Sequence, residues 1–111
     1  MENQVIKDTE IKGIKEDNVR VRFVGKVASF DDKTGMFEVE NGDQRITCLP
    51  NYQESVKLGM SELVLVTGKS VAADSSFEVR ADSVKKININ DYTNYEKYLI
   101  IRRDLLINNG S

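Results

Sequence analysis

The feature that most constrains the fold is a series of short segments with the sequence patterns of β-strands. In residues 19–30 (VRVRFVGKVASF) apolar and basic side chains alternate as far as Phe23, and Val24-Gly25 then interrupts the alternation. Residues 63–71 (LVLVTGKSV) are apolar at successive positions, as in a strand covered on both faces. Each contains one glycine, Gly25 or Gly68. Because glycine inside a strand permits a bulge or a sharp bend, we expect long, bent strands of the kind that close a small barrel.

The other segments complete a plan of five strands. Residues 36–40 and 44–49 flank Asn41-Gly42-Asp43, which is typical of a hairpin turn, and residues 77–82 alternate cleanly. Pro50 ends the third strand, and the longest connection, residues 51–61, follows it. This order predicts a mainly β protein, a five-stranded OB-fold barrel with a C-terminal α-helix, and a small SH3-like barrel is the alternative.

The chain is short enough to be one domain with two appendages. Its 111 residues leave no room for a second core. We expect an N-terminal extension over residues 1–18, extended or loosely ordered, then the barrel over residues 19–90. A helix over residues 91–107 follows the capping candidates Asn88 and Asn90. No apolar run is long enough to cross a membrane and no signal peptide is recognisable, so we expect an intracellular protein that does not contact a membrane.

The composition excludes most catalytic sites. The chain has no histidine and a single cysteine, so it cannot supply zinc sites of His and Cys, Cys-His nucleophiles or Ser-His-Asp triads. Cys48 lies in an apolar stretch and is interpreted as a small buried hydrophobe rather than a reactive thiol. Asp31 and Asp32 precede Gly35 and are interpreted as solvated turn residues. We expect no enzymatic activity, no metal and no cofactor.

The C-terminal helix carries more apolar surface than one barrel needs. On a helical wheel its apolar arc spans roughly 180°, whereas a surface helix that packs on one core has an arc of about 100° or somewhat more. One hypothesis is that the helix plugs its own barrel and that residues 1–18 cover the remainder. The hypothesis that we favour is that one edge packs on the barrel and the other binds partner subunits. The candidate partner-binding residues are Tyr95, Tyr98, Leu99, Ile101, Arg102, Leu105 and Leu106.

Nucleic-acid binding by the barrel itself is expected to be weak. Residues 19–90 contain ten basic and ten acidic side chains, and the whole chain has eight aromatic residues and no tryptophan. Binding to a phosphate backbone needs a local excess of positive charge, and single strands are usually gripped by stacking on aromatic rings. Phe30 and Tyr52 are the available rings. The candidate contacts are Arg20, Arg22, Lys26, Lys69 and Arg80, which are otherwise the solvated face of a strand.

The order of several pieces resembles a known family. These pieces are residues 23–27 (FVGKV), 34–37 (TGMF), 62–69 (ELVLVTGK), 91–95 (DYTNY) and 100–105 (IIRRDL). Together they resemble the smallest subunit of replication protein A, the eukaryotic heterotrimer that binds single-stranded DNA, or a telomeric paralogue of it. The resemblance implies a structural subunit in the nucleus, acting in DNA replication and repair or in telomere maintenance, including telomerase-associated versions.

The same resemblance implies how the subunit works. Its helix would join helices of the middle and large subunits in a bundle, and the partners would carry most of the binding to single-stranded DNA. The alternative is a stand-alone OB-fold protein that binds single-stranded nucleic acid.

Overall fold

The strands form one closed sheet with a helix against its outside. A computed structural model describes residues 5–52 and 56–109, with side chains as far as Leu105. In this part of the chain the elements are, in order, β1 (Lys7–Asp8), a 3-10 turn (Ile11–Gly13), β2 (Arg20–Phe30), β3 (Phe37–Asn41), β4 (Gln44–Pro50), β5 (Leu63–Ala73), β6 (Ser76–Lys86) and α1 (Ile89–Asn109). Within these ranges no helix is both long and apolar enough to span a membrane.

The strand order identifies the barrel. In the described residues the order is β1-β2-β3-β4-β6-β5, and β5 pairs back on β2, which closes the sheet. The β4–β6 pair is parallel, whereas β2, β3 and β4 pair antiparallel in sequence. A five-stranded Greek-key barrel of this order is the OB-fold, and the predicted fold class is confirmed. β1 adds a short parallel strand to the open side of β2 at Val21 and Arg22.

The two glycines inside the long strands allow close contact between neighbouring strands. A methyl group on Gly68 would overlap the carbonyl oxygen of Arg80, and the register of β5 against β6 shifts between Thr67 and Gly68. A methyl group on Gly25 would overlap the side chain of Val39, but the register shift in β2 lies further on, after Val27. The predicted bend is therefore confirmed at Gly68, while Gly25 serves mainly to let β3 approach.

The core fills the barrel with the inward side chains of every strand. Phe23, Phe37, Val39, Val64 and Val79 are almost completely buried. Cys48 is among them, and burial raises the pKa of its thiol, so its interpretation as a small core hydrophobe is confirmed. The Asp31 carboxylate accepts a hydrogen bond from the amide of Lys33 at 2.9 Å in an exposed turn, as predicted for a turn residue.

The N-terminal extension, expected to be extended or loosely ordered, has regular structure and core contacts in its described part. From residue 5 onward it is held by β1 and by Ile11 and Ile14, which are 6% and 7% exposed and belong to the core. These two isoleucines, three residues apart, meet on one side of the 3-10 turn and tie this stretch to the barrel. Two apolar residues are too few to reveal that pattern in the sequence. Residues 1–4 lie outside the described residues.

Candidate partner-binding surface

Helix α1 starts slightly earlier than predicted because Asn88 caps it. The side-chain oxygen of Asn88 accepts a hydrogen bond from the amide of Asp91 at 2.8 Å, which satisfies one of the free amides of the first turn. The helix then runs from Ile89 to Asn109 rather than over residues 91–107. It contains no glycine or proline that would interrupt it.

The Tyr95 hydroxyl anchors α1 to the barrel. It lies 2.7 Å from the Asp8 carboxylate in β1 and 2.7 Å from the backbone carbonyl oxygen of Arg22 in β2, and these two acceptors share its single hydrogen. The Arg22 guanidinium donates two hydrogen bonds to Asp8, from Nε at 2.6 Å and from Nη2 at 3.1 Å. Asp8, Arg22 and Tyr95, here called the anchor, thus join three elements through one carboxylate.

The electrostatics of the anchor favour a charged Asp8 and a neutral Tyr95. Burial alone raises the pKa of Asp8, but hydrogen bonds from Arg22 and Tyr95 outweigh it and hold that pKa below its usual value. Burial, followed by the hydrogen bond to Asp8, raises the pKa of the Tyr95 hydroxyl, which therefore remains a donor. The Asp8 side chain is 9% exposed and the Arg22 side chain 39%, so solvent screens this ion pair in part.

The rest of the barrel-facing side of α1 is half-buried. Tyr92 and Leu99 lie on this side, and Glu96 accepts a hydrogen bond from the side-chain amide of Asn41 at 3.2 Å. Val24 follows the inward Phe23 and so points to the outside of the barrel, yet it is only 3% exposed. Val24 and Leu99 line the same small cavity of about 220 Å³, which shows that α1 shelters this outward valine.

The other side of α1 presents apolar side chains to solvent. Tyr98, Ile101 and Leu105 are 48%, 59% and 56% exposed. Their spacing of three and four residues places them along one line of the helix, here called the exposed ridge. The exposed ridge is thus an apolar strip that the described part of the chain leaves open to solvent. The sequence did not indicate which edge of α1 faces the barrel, and the structure assigns the Tyr92 and Leu99 edge to that role.

The predicted partner-binding residues therefore fall into two groups. Tyr95 and Leu99 pack against their own barrel, so any contact that they make with a partner is at most partial. Tyr98, Ile101, Leu105 and the exposed Arg102 remain available for one. The side chain of Leu106 lies outside the described residues. The residues described from the N-terminal extension do not cover the exposed ridge, although the plug hypothesis required them to cover it.

The five candidate nucleic-acid contacts do not form one site. Arg22 belongs to the anchor, and Lys26 lies on β2 beside Leu63, about 20 Å along the strand from Arg20. Arg20, Lys69 and Arg80, in contrast, are directly opposite one another on β2, β5 and β6, so their side chains share one face. This set is here called the cationic row.

The predicted aromatic platform is only partly available. Phe30 and Tyr52 are half-buried and pack against the core cluster. Over residues 5–52 and 56–109 there is also no group of three His, Cys, Asp or Glu side chains placed to hold a metal ion.

Comparison with known proteins shows similarity of structure without similarity of sequence. No protein-family model matches the chain, and no curated protein matches it significantly. In structure the chain is similar to the telomere capping protein Ten1 from S. pombe, with a TM-score of 0.71 and 19% identity over 92% of this chain and 99% of that one. Because the match leaves only about a twelfth of this chain uncovered, it extends beyond the barrel and includes at least half of the 21 residues of α1.

Two further structures have the same fold. A chain of the S. pombe Stn1-Ten1 complex matches with a TM-score of 0.66 and 18% identity, over 78% of this chain and 72% of that one. The OBody AM1L10, solved bound to hen egg-white lysozyme, matches with a TM-score of 0.56 and 18% identity, over 74% and 95%. Identities this low establish the fold and leave the function to be argued from the surface.

The anchor predicts a specific dependence of stability on pH. Because the Asp8 pKa is lowered in the folded chain, its contribution is complete above the unfolded value of about 4 and is lost as the pH falls through the folded value. Asp8→Asn should lower the free energy of unfolding at pH 7 by about 1.5–3 kcal/mol, measured by urea denaturation. The difference from wild type should shrink below about pH 4, where Asp8 itself becomes neutral.

Asp32→Asn is the matched control, since Asp32 is exposed in a turn, and we expect it to leave the unfolding free energy within about 0.5 kcal/mol of wild type. Equal effects of the two substitutions at pH 7 would contradict the anchor.

Proposed function

We propose that this chain is the small OB-fold subunit of a telomere-capping complex and that it binds a second OB-fold subunit through the exposed ridge. The structural similarity to Ten1 and to a chain of the Stn1-Ten1 complex supports this proposal. It favours the telomeric paralogue over replication protein A itself as the relative of this chain. A nuclear location follows from the same proposal.

The exposed ridge is the observation that carries the proposal. Burying a fully exposed apolar side chain of this size stabilises by roughly 1.5–3 kcal/mol, and the ridge residues are about half exposed, so each contributes about half of that toward the costs of association. Those costs are reduced here because the anchor already orders the helix in the free chain. The natural occupant of a ridge spaced by three and four residues is another helix, packed side by side.

A helix on the ridge also accommodates the larger assembly that the sequence resemblance implies. Two helices of an interface leave a groove between them, and a third helix from a further subunit packs there as in a bundle. We therefore propose a heterotrimer in which α1 contacts helices of the middle and large subunits, while this chain contributes structure and no catalytic activity.

The partners carry most of the DNA binding in this proposal. The outer face of the second and third strands of an OB-fold, here β3 and β4, commonly binds oligonucleotides. In this chain that face presents Glu38 and Glu40, with Arg45 as their ion-pair partner at 3.9 and 3.1 Å. Two carboxylates against one guanidinium repel a phosphate backbone more than they attract it.

The ridge proposal predicts that a single charged substitution on the exposed ridge of α1 prevents the complex from forming. Ile101→Asp and Leu105→Asp should each abolish co-elution with the Stn1-like OB-fold subunit of the same organism when the two chains are co-expressed and analysed by gel filtration with light scattering. The reason is that an unpaired carboxylate would be buried in the interface. Both variants should keep the thermal stability of the wild-type monomer, because both side chains are exposed in it.

Ile89→Asp is the matched control, because Ile89 is 62% exposed on another side of the same helix, and it should leave the complex intact. Leu99→Asp should instead destabilise the monomer. Survival of the complex in both ridge variants would overturn the proposal.

A second candidate function, direct contact with nucleic acid, is favoured by the cationic row. Like charges placed directly opposite on neighbouring strands destabilise a sheet, yet Arg20, Lys69 and Arg80 are opposite one another. Asp82 offsets part of this repulsion, because its carboxylate lies 3.5 Å from the Arg20 guanidinium. The buried Nε of Arg20 makes no hydrogen bond within the described chain. Phosphate oxygens would pair with the charged ends of this row, although they would not reach the buried Nε of Arg20.

A salt titration tests this second function. Lys69→Ala combined with Arg80→Ala should weaken binding of a labelled single-stranded oligonucleotide and reduce the slope of log K against log salt by about 0.7 for each phosphate that these side chains neutralise. Lys33→Ala, an exposed lysine in a turn, is the control and should not change the slope. An unchanged slope in the double variant would remove the cationic row from any DNA-binding surface.

A further inference from the structure

An open groove separates the N-terminal segment from the second half of α1. Its volume is about 740 Å³, and it is lined by seven residues between Lys7 and Lys15 on one side and by three residues of α1 on the other. Leu99 contributes an apolar surface, and Arg102 and Arg103 flank it. The groove is here called the basic groove. It lies next to the exposed ridge, because Arg102 is four residues after Tyr98 and three before Leu105, spacings that make side chains neighbours on a helix.

The lining of the basic groove is strongly positive, although the whole chain has a net charge of −2. It contains five basic side chains, Lys7, Lys12, Lys15, Arg102 and Arg103, and two acidic ones, Asp8 and Glu10.

The two acidic side chains of the groove are already engaged. Asp8 is held by the anchor, and Glu10 lies 3.3 Å from Lys12 and 3.8 Å from Arg103. Lys7, Lys15 and Arg102 have no ion-pair partner among the described residues. These three cations are therefore available to a ligand of negative charge.

The remaining features of the groove favour a polypeptide over a nucleic acid. None of the described lining residues is aromatic, so the groove offers no ring on which a base would stack. Leu99 instead offers an apolar contact. In the part of the chain that the structure describes, β1 pairs with β2 on one edge only, which leaves backbone groups of its other edge open to an extended segment.

We propose that the basic groove binds an extended acidic segment of the same partner subunit whose helix packs on the exposed ridge. This inference rests on the proposed function for the identity of the partner, but its chemistry is separate. Carboxylates of the segment pair with Lys7, Lys15 and Arg102, and one apolar side chain contacts Leu99. The ridge then supplies affinity that depends little on salt, whereas the groove supplies salt-dependent attraction and sets the orientation of the partner.

A synthetic peptide tests the groove without the partner. The probe is a fluorescent ten-residue peptide in which Asp and Glu alternate with Leu, and it is titrated into the full chain at low salt. A peptide with Lys in place of every acid, and oligothymidylate, serve as comparison ligands. We expect saturable binding of the acidic peptide but not of the two comparison ligands. The binding should shift the amide NMR signals of residues 7–15 and 99–103.

Charge reversal should locate the site. Lys15→Glu and Arg102→Glu should each weaken binding of the acidic peptide by about tenfold, because each replaces an attraction by a repulsion. Lys33→Glu, an exposed lysine elsewhere, is the matched control and should leave the affinity unchanged. Lys15 is exposed outside the strands, so Lys15→Glu remains informative even if Arg102→Glu disturbs the nearby anchor.

The outcomes separate the two proposals. If the acidic peptide does not bind, or if the basic peptide or oligothymidylate binds the same amides as tightly, the groove proposal is wrong even when Ile101→Asp breaks the complex. The ridge proposal is wrong if the complex survives Ile101→Asp. If the acidic peptide still binds the groove of that variant with unchanged affinity, the preference of the groove for an acidic segment stands, and only the identity of the partner is overturned.

Discussion

The buried carboxylate of Asp8 is the constraint on which the placement of α1 depends. A carboxylate that is 9% exposed is costly unless charged and polar donors surround it, and here the donors come from two other elements, Arg22 of β2 and Tyr95 of α1. The three groups stabilise one another only while β1, β2 and α1 stay together. The interaction therefore fixes the rotation of the helix about its axis as well as its position on the barrel.

This fixed rotation gives α1 two different sides. With Tyr95 directed at the barrel, the residues of the exposed ridge lie roughly 60–120° away around the helix and cannot reach it. A barrel of this size covers only part of the circumference of a helix. In α1 the covered part includes Leu99, which lines the same cavity as Val24 of the barrel. The same geometry holds the second half of α1 apart from residues 7–15 and leaves the basic groove between them. One polar contact thus accounts for the buried side, the ridge and the groove.

Much of this could be predicted from the sequence, because it follows from local patterns. The OB-fold and the helix were predicted from properties of neighbouring residues. These properties are the alternation in β2, β3 and β6, the glycine in β5 and the width of the apolar arc on α1. The anchor could not be predicted, since Asp8 and Tyr95 are 87 residues apart and nothing in Lys7-Asp8 indicates a strand. One signal was present and missed. Val24 breaks the alternation of β2 with an outward apolar residue, which marks the place that α1 covers.

Thiol labelling of single cysteines on α1 measures the orientation of the helix directly. The native Cys48 is fully buried and does not compete for the reagent. In the isolated folded chain, a cysteine placed by Ile101→Cys should react about as fast as one in an unfolded peptide, whereas one placed by Leu99→Cys should react at least about tenfold more slowly. Equal protection of both positions in the monomer would mean that the barrel covers the whole helix, and it would contradict the account of α1 as a surface for a partner.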